Sequence, residues 1–177
     1  MRVVATFASL LILSGCASTY SLPSNQPSAT LSFQLSTDST DTTAKGFQID
    51  AYEDLSCAPA KHGSSLASKR LADDQERLGP VKVSTDQPFT FAVAYSEARF
   101  AQNKSCSFTA AFWPATDQVY SVQFKVVKQS AACGLQITDS RGNPVRYEAP
   151  QMSCAEGVGG GKTQNGGAGI LNWTIRN

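Results

Sequence analysis

The chain has 177 residues and a formal net charge of +1 at pH 7, with 15 lysines and arginines against 14 aspartates and glutamates. This balance argues against a nucleic-acid partner, which requires a strongly basic face, and against an electrostatic membrane patch. Charged residues make up 16% of the chain, well below the usual share of about a quarter. Serine, threonine, asparagine and glutamine supply the polarity instead, as in many exported β-proteins.

Residues 1–15 are predicted to be a signal peptide. Arg2 is the only charged residue in this segment, and residues 3–13 are almost wholly apolar. That run is too short to cross a bilayer as a helix, which needs about 20 residues. The four residues Leu13-Ser14-Gly15-Cys16 end it and resemble the lipobox of bacterial lipoproteins. The resemblance implies that Cys16 becomes the lipidated first residue of the mature protein, which is then attached to a membrane through its acyl chains.

The residues after the cysteine bear on location and on attachment. Ala17 and Ser18 stand where an aspartate would favour retention in the inner membrane, so we expect an outer-membrane anchor facing the periplasm, with surface exposure left open. Residues 16–29 are rich in serine, proline and small residues without an apolar period, which predicts a lipidated flexible tether. Removal of residues 1–15 leaves 162 residues, enough for one domain with a hydrophobic core.

Alternation of apolar and polar residues with a period of two dominates the chain from residue 30 onward. Such segments are typical of half-buried strands, with one face on a core and the other in water. We therefore predict one all-β domain over residues 30–177. Its expected architecture is an antiparallel β-sandwich, Ig-like or transthyretin-like, with seven to eight strands. The alternating segments are residues 31–35, 47–51, 89–95, 108–112, 120–126, 135–137 and 171–175.

Two stretches do not follow this pattern. Residues 65–78 show neither strand alternation nor a continuous helical stripe, and we interpret them as an irregular excursion with one or two helical turns at most. Residues 157–169 hold seven of the thirteen glycines. Because glycine loses the most backbone entropy on ordering, we expect a mobile loop there. An alternative is a functional loop that orders on a partner, with Gly159, Gly160, Gly161 and Lys162 as contacts.

Four cysteines remain after the lipidated one: Cys57, Cys106, Cys133 and Cys154. An even count in an exported protein predicts two disulfides. The sequence leaves all three pairings open, and we favour Cys57–Cys106 together with Cys133–Cys154. We expect no metal site, because no two cysteines have C-x-x-C spacing and His62 is the only histidine.

No set of residues predicts catalysis or a cofactor. Residues 159–163 imitate a phosphate-binding loop, but Glu156 occupies the position of its first glycine and no helix is expected afterwards. His62 lies in a polar loop without the G-x-S-x-G signature of a serine nucleophile. The acidic residues, Asp73 and Asp74 among them, are typical of solvated charges. Trp113 ends an alternating segment, where it could contact a partner, although packing in the core is the more ordinary role for it and for Trp173.

Three segments carry a resemblance to a family. Residues 105–114 form a cysteine-containing strand that ends in Trp113-Pro114, residues 120–124 read Tyr-Ser-Val-Gln-Phe, and residues 133–139 form a cysteine-led strand that ends in Asp139. This order resembles a set of uncharacterised proteobacterial lipoproteins, over residues 88–139 and more loosely from residue 30. Their loop often reads Glu-Ala-Gly-His, whereas residues 115–118 here read Ala-Thr-Asp-Gln. The resemblance implies a small β-sandwich and no established activity.

The sequence thus predicts a monomeric, lipid-anchored binding or assembly module of the bacterial envelope, without catalysis and with an envelope protein as partner. Two alternatives stay open at this point: a lipoprotein subunit of a secretion machine, or an inhibitor of a cell-wall hydrolase.

Overall fold

The computed structural model describes residues 18–40, 42–71, 73–100, 102–127, 130–156 and 162–166. These residues form ten strands and no helix. The described residues therefore contain no helix that could cross a membrane. The strands are β1 Ser28–Thr37, β2 Ala44–Tyr52, β3 Ser65–Arg70, β4 Gln75–Ser84, β5 Phe89–Ala98, β6 Asn103–Phe112, β7 Val119–Val127, β8 Ala132–Asp139, β9 Met152–Glu156 and β10 Lys162–Gln164.

Eight of the strands build two four-stranded sheets that pack as a sandwich, which confirms the predicted fold class. The first sheet has the order β4-β1-β7-β8 and the second sheet the order β3-β2-β5-β6. Five of the six strand pairs are antiparallel, but β1 and β7 run parallel in the centre of the first sheet. The expectation of a purely antiparallel sandwich is therefore wrong at this pair, since alternation reports which face of a strand is buried and nothing about its neighbour's direction.

The core between the sheets consists of the predicted apolar sets. The inward side chains of β1, β2, β5, β7 and β8 are fully or almost fully buried. Aromatic rings connect the two layers: Phe47 meets Phe124 edge-on at 5.8 Å, and Phe33 meets Phe91 edge-on at 5.7 Å between ring centroids. Such pairs contribute about 1 kcal/mol each beyond the area that they bury.

The two disulfides are present with a pairing different from the favoured one. Cys106 of β6 is bonded to Cys133 of β8 and so joins the two sheets through the core. Cys57, in the loop after β2, is bonded to Cys154 of β9, 97 residues away. The favoured pairing was wrong because the partner of a cysteine depends on which strands the fold brings together, and sequence spacing does not contain that information.

The stretch interpreted as an irregular excursion is instead a pair of edge strands. Strand β3 lies at the edge of the second sheet and β4 at the edge of the first, and most of their side chains are exposed or half-buried. In β3, high exposure removes the alternation that reveals a strand in the sequence. In β4, the inward residues Leu78, Val81 and Val83 pack on the core, but a register irregularity interrupts their alternation. Pro80 is tolerated in β4 because an edge strand does not need every N–H group. Next to it, Gly79 has φ +98° at an irregularity in the register with β1.

Strands β9 and β10 form a small antiparallel sheet on the outside of the second sheet. The seventh predicted strand, residues 171–175, lies outside the described residues.

The expected tether differs from the structure from residue 18 onward, because the chain is hydrogen-bonded to the sandwich there. The carbonyl of Ser18 accepts bonds from the N–H groups of Ser64 and Ser65, both 3.0 Å long. Tyr20 packs its ring edge-on against Phe89 at 5.9 Å, and strand β1 already begins at Ser28. Two residues, Cys16 and Ala17, separate the predicted signal peptide from this attachment.

Candidate functional site

The outer surfaces of the two sheets differ in what covers them. We call the outer surface of the second sheet the covered face, because β9 and β10 lie on it. We call the outer surface of the first sheet the open face, because no described strand packs on it. A surface available to a ligand is therefore sought first on the open face.

The covered face is sealed by hydroxyl groups and by the second disulfide. Thr109 of β6 is fully buried, and its hydroxyl accepts a hydrogen bond from the N–H of Cys154 at 2.8 Å and lies 3.0 Å from the hydroxyl of Ser153. Tyr52 packs on the cluster around Cys154. Burial, with the nearby charges of Asp50 and Glu156, raises the pKa of Tyr52 to about 12, so its phenol is neutral at physiological pH.

The free edge of β6 is also occupied. The side chain of Asn165 pairs with the backbone of Thr109, accepting from its N–H at 2.6 Å and donating to its carbonyl at 2.9 Å. Gly166 donates to the carbonyl of Ser107, and Glu148 exchanges two backbone bonds with Ala111. Because these groups satisfy the edge, β6 offers no unpaired row to which another strand could add.

The open face carries a row of polar side chains from four neighbouring strands. Gln34 of β1 lies opposite Arg77 of β4 on one side and opposite Gln123 of β7 on the other. Gln123 in turn lies opposite Gln136 of β8. Neighbouring strands are about 4.8 Å apart, so the three glutamines form a continuous row of carboxamides across the sheet.

A second row runs beside the first and completes a groove. Ser36 lies opposite Gln75 and Lys125, and Lys125 lies opposite Gly134, which contributes no side chain. With Asp73 and Glu76 at its rim, the groove has a volume of about 570 Å³. Arg77 and Lys125 face Asp73 there. Glu76, in contrast, is in register with the inward-facing Leu35 and lies 3.8 Å from Lys69 of β3. The groove therefore offers a ligand mainly hydrogen bonds, with a small positive charge.

The side chains of the three glutamines make no hydrogen bond within the described part of the chain. Each carboxamide offers two N–H donors and an acceptor oxygen. A row of such groups matches a ligand that presents both donors and acceptors along its length. Sequence reasoning placed Gln34 and Gln123 away from the core but missed the row, because only the register between strands brings Gln136 and Arg77 into line with them.

The N-terminal segment attaches at one end of the sandwich, which we call the proximal end. It is marked by Tyr52, Ser65, Phe89 and Phe112. The distal end is the opposite one, beside Ala98 and Asn103.

A buried carboxylate network closes the distal end. The side chain of Glu97 is 0% exposed and accepts hydrogen bonds from the hydroxyls of Ser39 and Tyr95 and from Nε of Arg99, the last at 2.5 Å. Burial raises the pKa of Glu97, but the hydrogen bonds from Ser39, Ser130, Arg99 and Tyr95 outweigh it, so its pKa lies below its ordinary value. With no exposed oxygen, this carboxylate holds loops together rather than meeting a ligand.

The predicted site residues are dispersed. Trp113 lies in a loop at the proximal end with 67% of its surface exposed, so the expectation of a core role for it is wrong. Lys162 is exposed on β10, on the covered side of the molecule. Cys16, Gly159, Gly160, Gly161 and Trp173 lie outside the described residues. Within the described ranges, no three histidine, cysteine or acidic side chains cluster as metal ligands would.

No protein-family model, curated protein or solved structure matches this chain. The case for function therefore depends on the open face and on the way the N-terminus attaches.

Proposed function

We propose that this protein is a lipid-anchored binding module of the bacterial envelope, and that the open face binds a cell-wall glycan strand. The observation that carries the proposal is the row of carboxamides on Gln34, Gln123 and Gln136, which lines the groove and has no hydrogen-bond partner among the described residues. Sugar rings present hydroxyl groups that both donate and accept, which is the pattern that carboxamides complement.

The composition of the groove favours a glycan over a protein partner. Protein interfaces are enriched in tyrosine, tryptophan, phenylalanine, methionine and arginine, whereas lysine, serine and acidic residues are depleted. Among the exposed side chains of the groove, Arg77 alone is of an enriched type, and the others are glutamine, serine, lysine and acidic residues. A flat row of amides beside Arg77 and Lys125 fits an extended, hydroxyl-rich polymer that carries occasional carboxylates.

Sedimentation with insoluble cell-wall sacculi tests the proposal. The protein should sediment with the sacculi, and the triple variant Gln34→Ala/Gln123→Ala/Gln136→Ala should lose at least about tenfold in affinity, since each lost hydrogen bond costs about 1 kcal/mol. The matched control is Gln48→Ala/Gln102→Ala/Gln151→Ala, which removes three exposed glutamines from elsewhere and should bind like the parent. Equal binding by both triple variants would contradict the role of the open face.

The anchor is tested separately. Cys16→Ser should move the protein from the membrane fraction to the soluble periplasmic fraction, because acyl chains contribute about 0.8 kcal/mol for each buried methylene. Retention of Cys16→Ser in the membrane fraction would contradict lipid anchoring and would leave glycan binding to be judged by sedimentation alone.

A further inference from the structure

We propose that the proximal end of the sandwich lies directly on the bilayer, with the Trp113 side chain in the headgroup layer. This inference rests on the proposed lipidation of Cys16 and adds to it an orientation and a contact surface.

The chain between the proposed lipid and the domain is short. Ser18 is held to Ser64 and Ser65 by two backbone hydrogen bonds of 3.0 Å, and the N–H of Tyr20 donates to the carbonyl of Ser65 at 2.7 Å. Two residues extend at most about 7 Å. Acyl chains on Cys16 would therefore hold the proximal end within about 7 Å, along the backbone, of the point where the lipid begins.

Trp113 lies at the same end of the sandwich as the attachment point. Trp113 directly follows Phe112, the last residue of β6, and Phe112 lies opposite Phe89 at the start of β5. The attachment point and Trp113 are thus at the same end of the second sheet, across the three strand spacings from β3 to β6, or about 14 Å. Val119, 48% exposed, ends the same loop.

The loop that contains Trp113, residues 113–118, is held in place by hydrogen bonds. The hydroxyl of Tyr120 accepts a hydrogen bond from the N–H of Ala115 at 2.9 Å. The hydroxyls of Thr116 and Thr85 lie 2.9 Å apart, which connects the loop to the segment that directly follows β4. Tryptophan is enriched at membrane interfaces, where its ring and its N–H meet apolar and wet surroundings at once. A fixed, exposed tryptophan beside a short lipid attachment suits that layer.

The net negative charge of the proximal end indicates that acyl chains and Trp113, rather than electrostatic attraction, hold the domain at the bilayer. The described loops of the proximal end, residues 53–64, 85–88, 113–118 and 139–148, carry six carboxylates and three cations, which are Glu53, Asp54, Asp86, Asp117, Asp139 and Glu148 against Lys61, Arg141 and Arg146. This surface would repel anionic lipids, so zwitterionic vesicles are the appropriate membrane for a test.

The experiment uses the full-length acylated protein in zwitterionic vesicles containing lipids brominated near the headgroup. In the Trp173→Phe variant, Trp113 is the single tryptophan, and brominated lipid should remove about half or more of its emission, as expected for an interfacial ring. The matched control moves the probe to Phe100, at the distal hairpin, where the side chain is fully exposed at 103%. In Trp113→Phe/Trp173→Phe/Phe100→Trp, the probe lies a strand length away, about 33 Å, and should keep its emission.

The outcomes separate the two proposals. Intact mass reports acylation of Cys16, and its absence would overturn both the anchor and the orientation. Acylated protein whose Trp113 is unquenched, or is quenched no more than the Phe100→Trp probe, would overturn the orientation and leave the anchor standing. If Trp173→Phe does not fold, the parent is compared with Trp113→Phe instead. The fraction of the emission that brominated lipid quenches should then be smaller in Trp113→Phe.

Discussion

The open and covered faces are both built from four-stranded sheets, but the open face is exposed to solvent and the covered face is packed beneath other strands. Strands β1 and β7 of the first sheet bury one side chain in two and keep serine, glutamine and lysine on the outside. Strands β5 and β6 of the second sheet are buried on both faces over most of their length. The comparison teaches that a polar residue at an outward position is a solvent-exposed group on one sheet and a packing group on the other, depending on what lies over it.

Small hydroxyls and alanines mark the face that is covered. Thr109 and Ser107 of β6 and Ala92 of β5 are all nearly inaccessible, and they lie beneath β9 and β10. Long carboxamides and ammonium groups mark the face that is open. Short side chains permit close approach of a second layer, whereas long polar ones would have to lose their hydration to accept it.

The largest effect should follow from uncovering the covered face. Cys57→Ala/Cys154→Ala removes the bond across a 97-residue separation and should lower the free energy of unfolding by about 4–5 kcal/mol, the loop-entropy value for that length. Chemical denaturation measures the loss. Hydrogen exchange should increase in β9 and β6 and not in β1 or β7. Unchanged exchange in β9 would contradict its attachment through this disulfide.

A smaller effect should come from the buried carboxylate of the second sheet. Glu97→Gln should cost about 3 kcal/mol, because it leaves the cation of Arg99 without its buried partner. Since the pKa of Glu97 lies below its unfolded value of 4.5, the stabilisation is present above pH 4.5 and is lost as the pH falls through the folded pKa. The parent should therefore lose stability in acid more steeply than Glu97→Gln, and parallel curves would refute the assignment.

The smallest effect compares one threonine from each face. Thr109→Val leaves the N–H of Cys154 without its acceptor and should cost about 1–2 kcal/mol. Thr138→Val, on β8 of the open sheet, removes only a 3.5 Å contact to the carbonyl of Ser121 and should change stability by less than about 0.5 kcal/mol. Thermal or denaturant unfolding of the two variants measures the difference, and equal losses would show that the two faces are equally packed.

Much of the fold could be predicted from the sequence, for a definite physical reason. Strands such as β1 and β7 have one face in the core and one in water, so their period of two is visible in a single chain. Strand β3 lacks a visible alternation because most of its side chains are exposed or half-buried, and β9 lacks one because its three central residues are all buried. In β4 the inward residues Leu78, Val81 and Val83 do pack on the core, but the irregularity at Gly79-Pro80 interrupts their alternation in the sequence.

The candidate site was predictable only in part. The polarity of Gln34 and Gln123 could be recognised from the sequence, but their alignment with Gln136 arises from the register of three strands, one of them parallel to its neighbour. Disulfide pairing failed for the same reason, because it is a property of long-range topology. Trp113 was singled out correctly as a residue at a loop edge, and its exposure depends on packing that no local pattern encodes.

The most direct test of the open face is an NMR titration of the nitrogen-15-labelled protein with soluble glycan strands released from sacculi by an amidase. If the open face binds glycan, the side-chain amide resonances of Gln34, Gln123 and Gln136 should shift together, with those of Gln48 and Gln102 unchanged. Shifts confined to the covered face or to the Trp113 loop, or no shift at saturating glycan, would contradict the proposal.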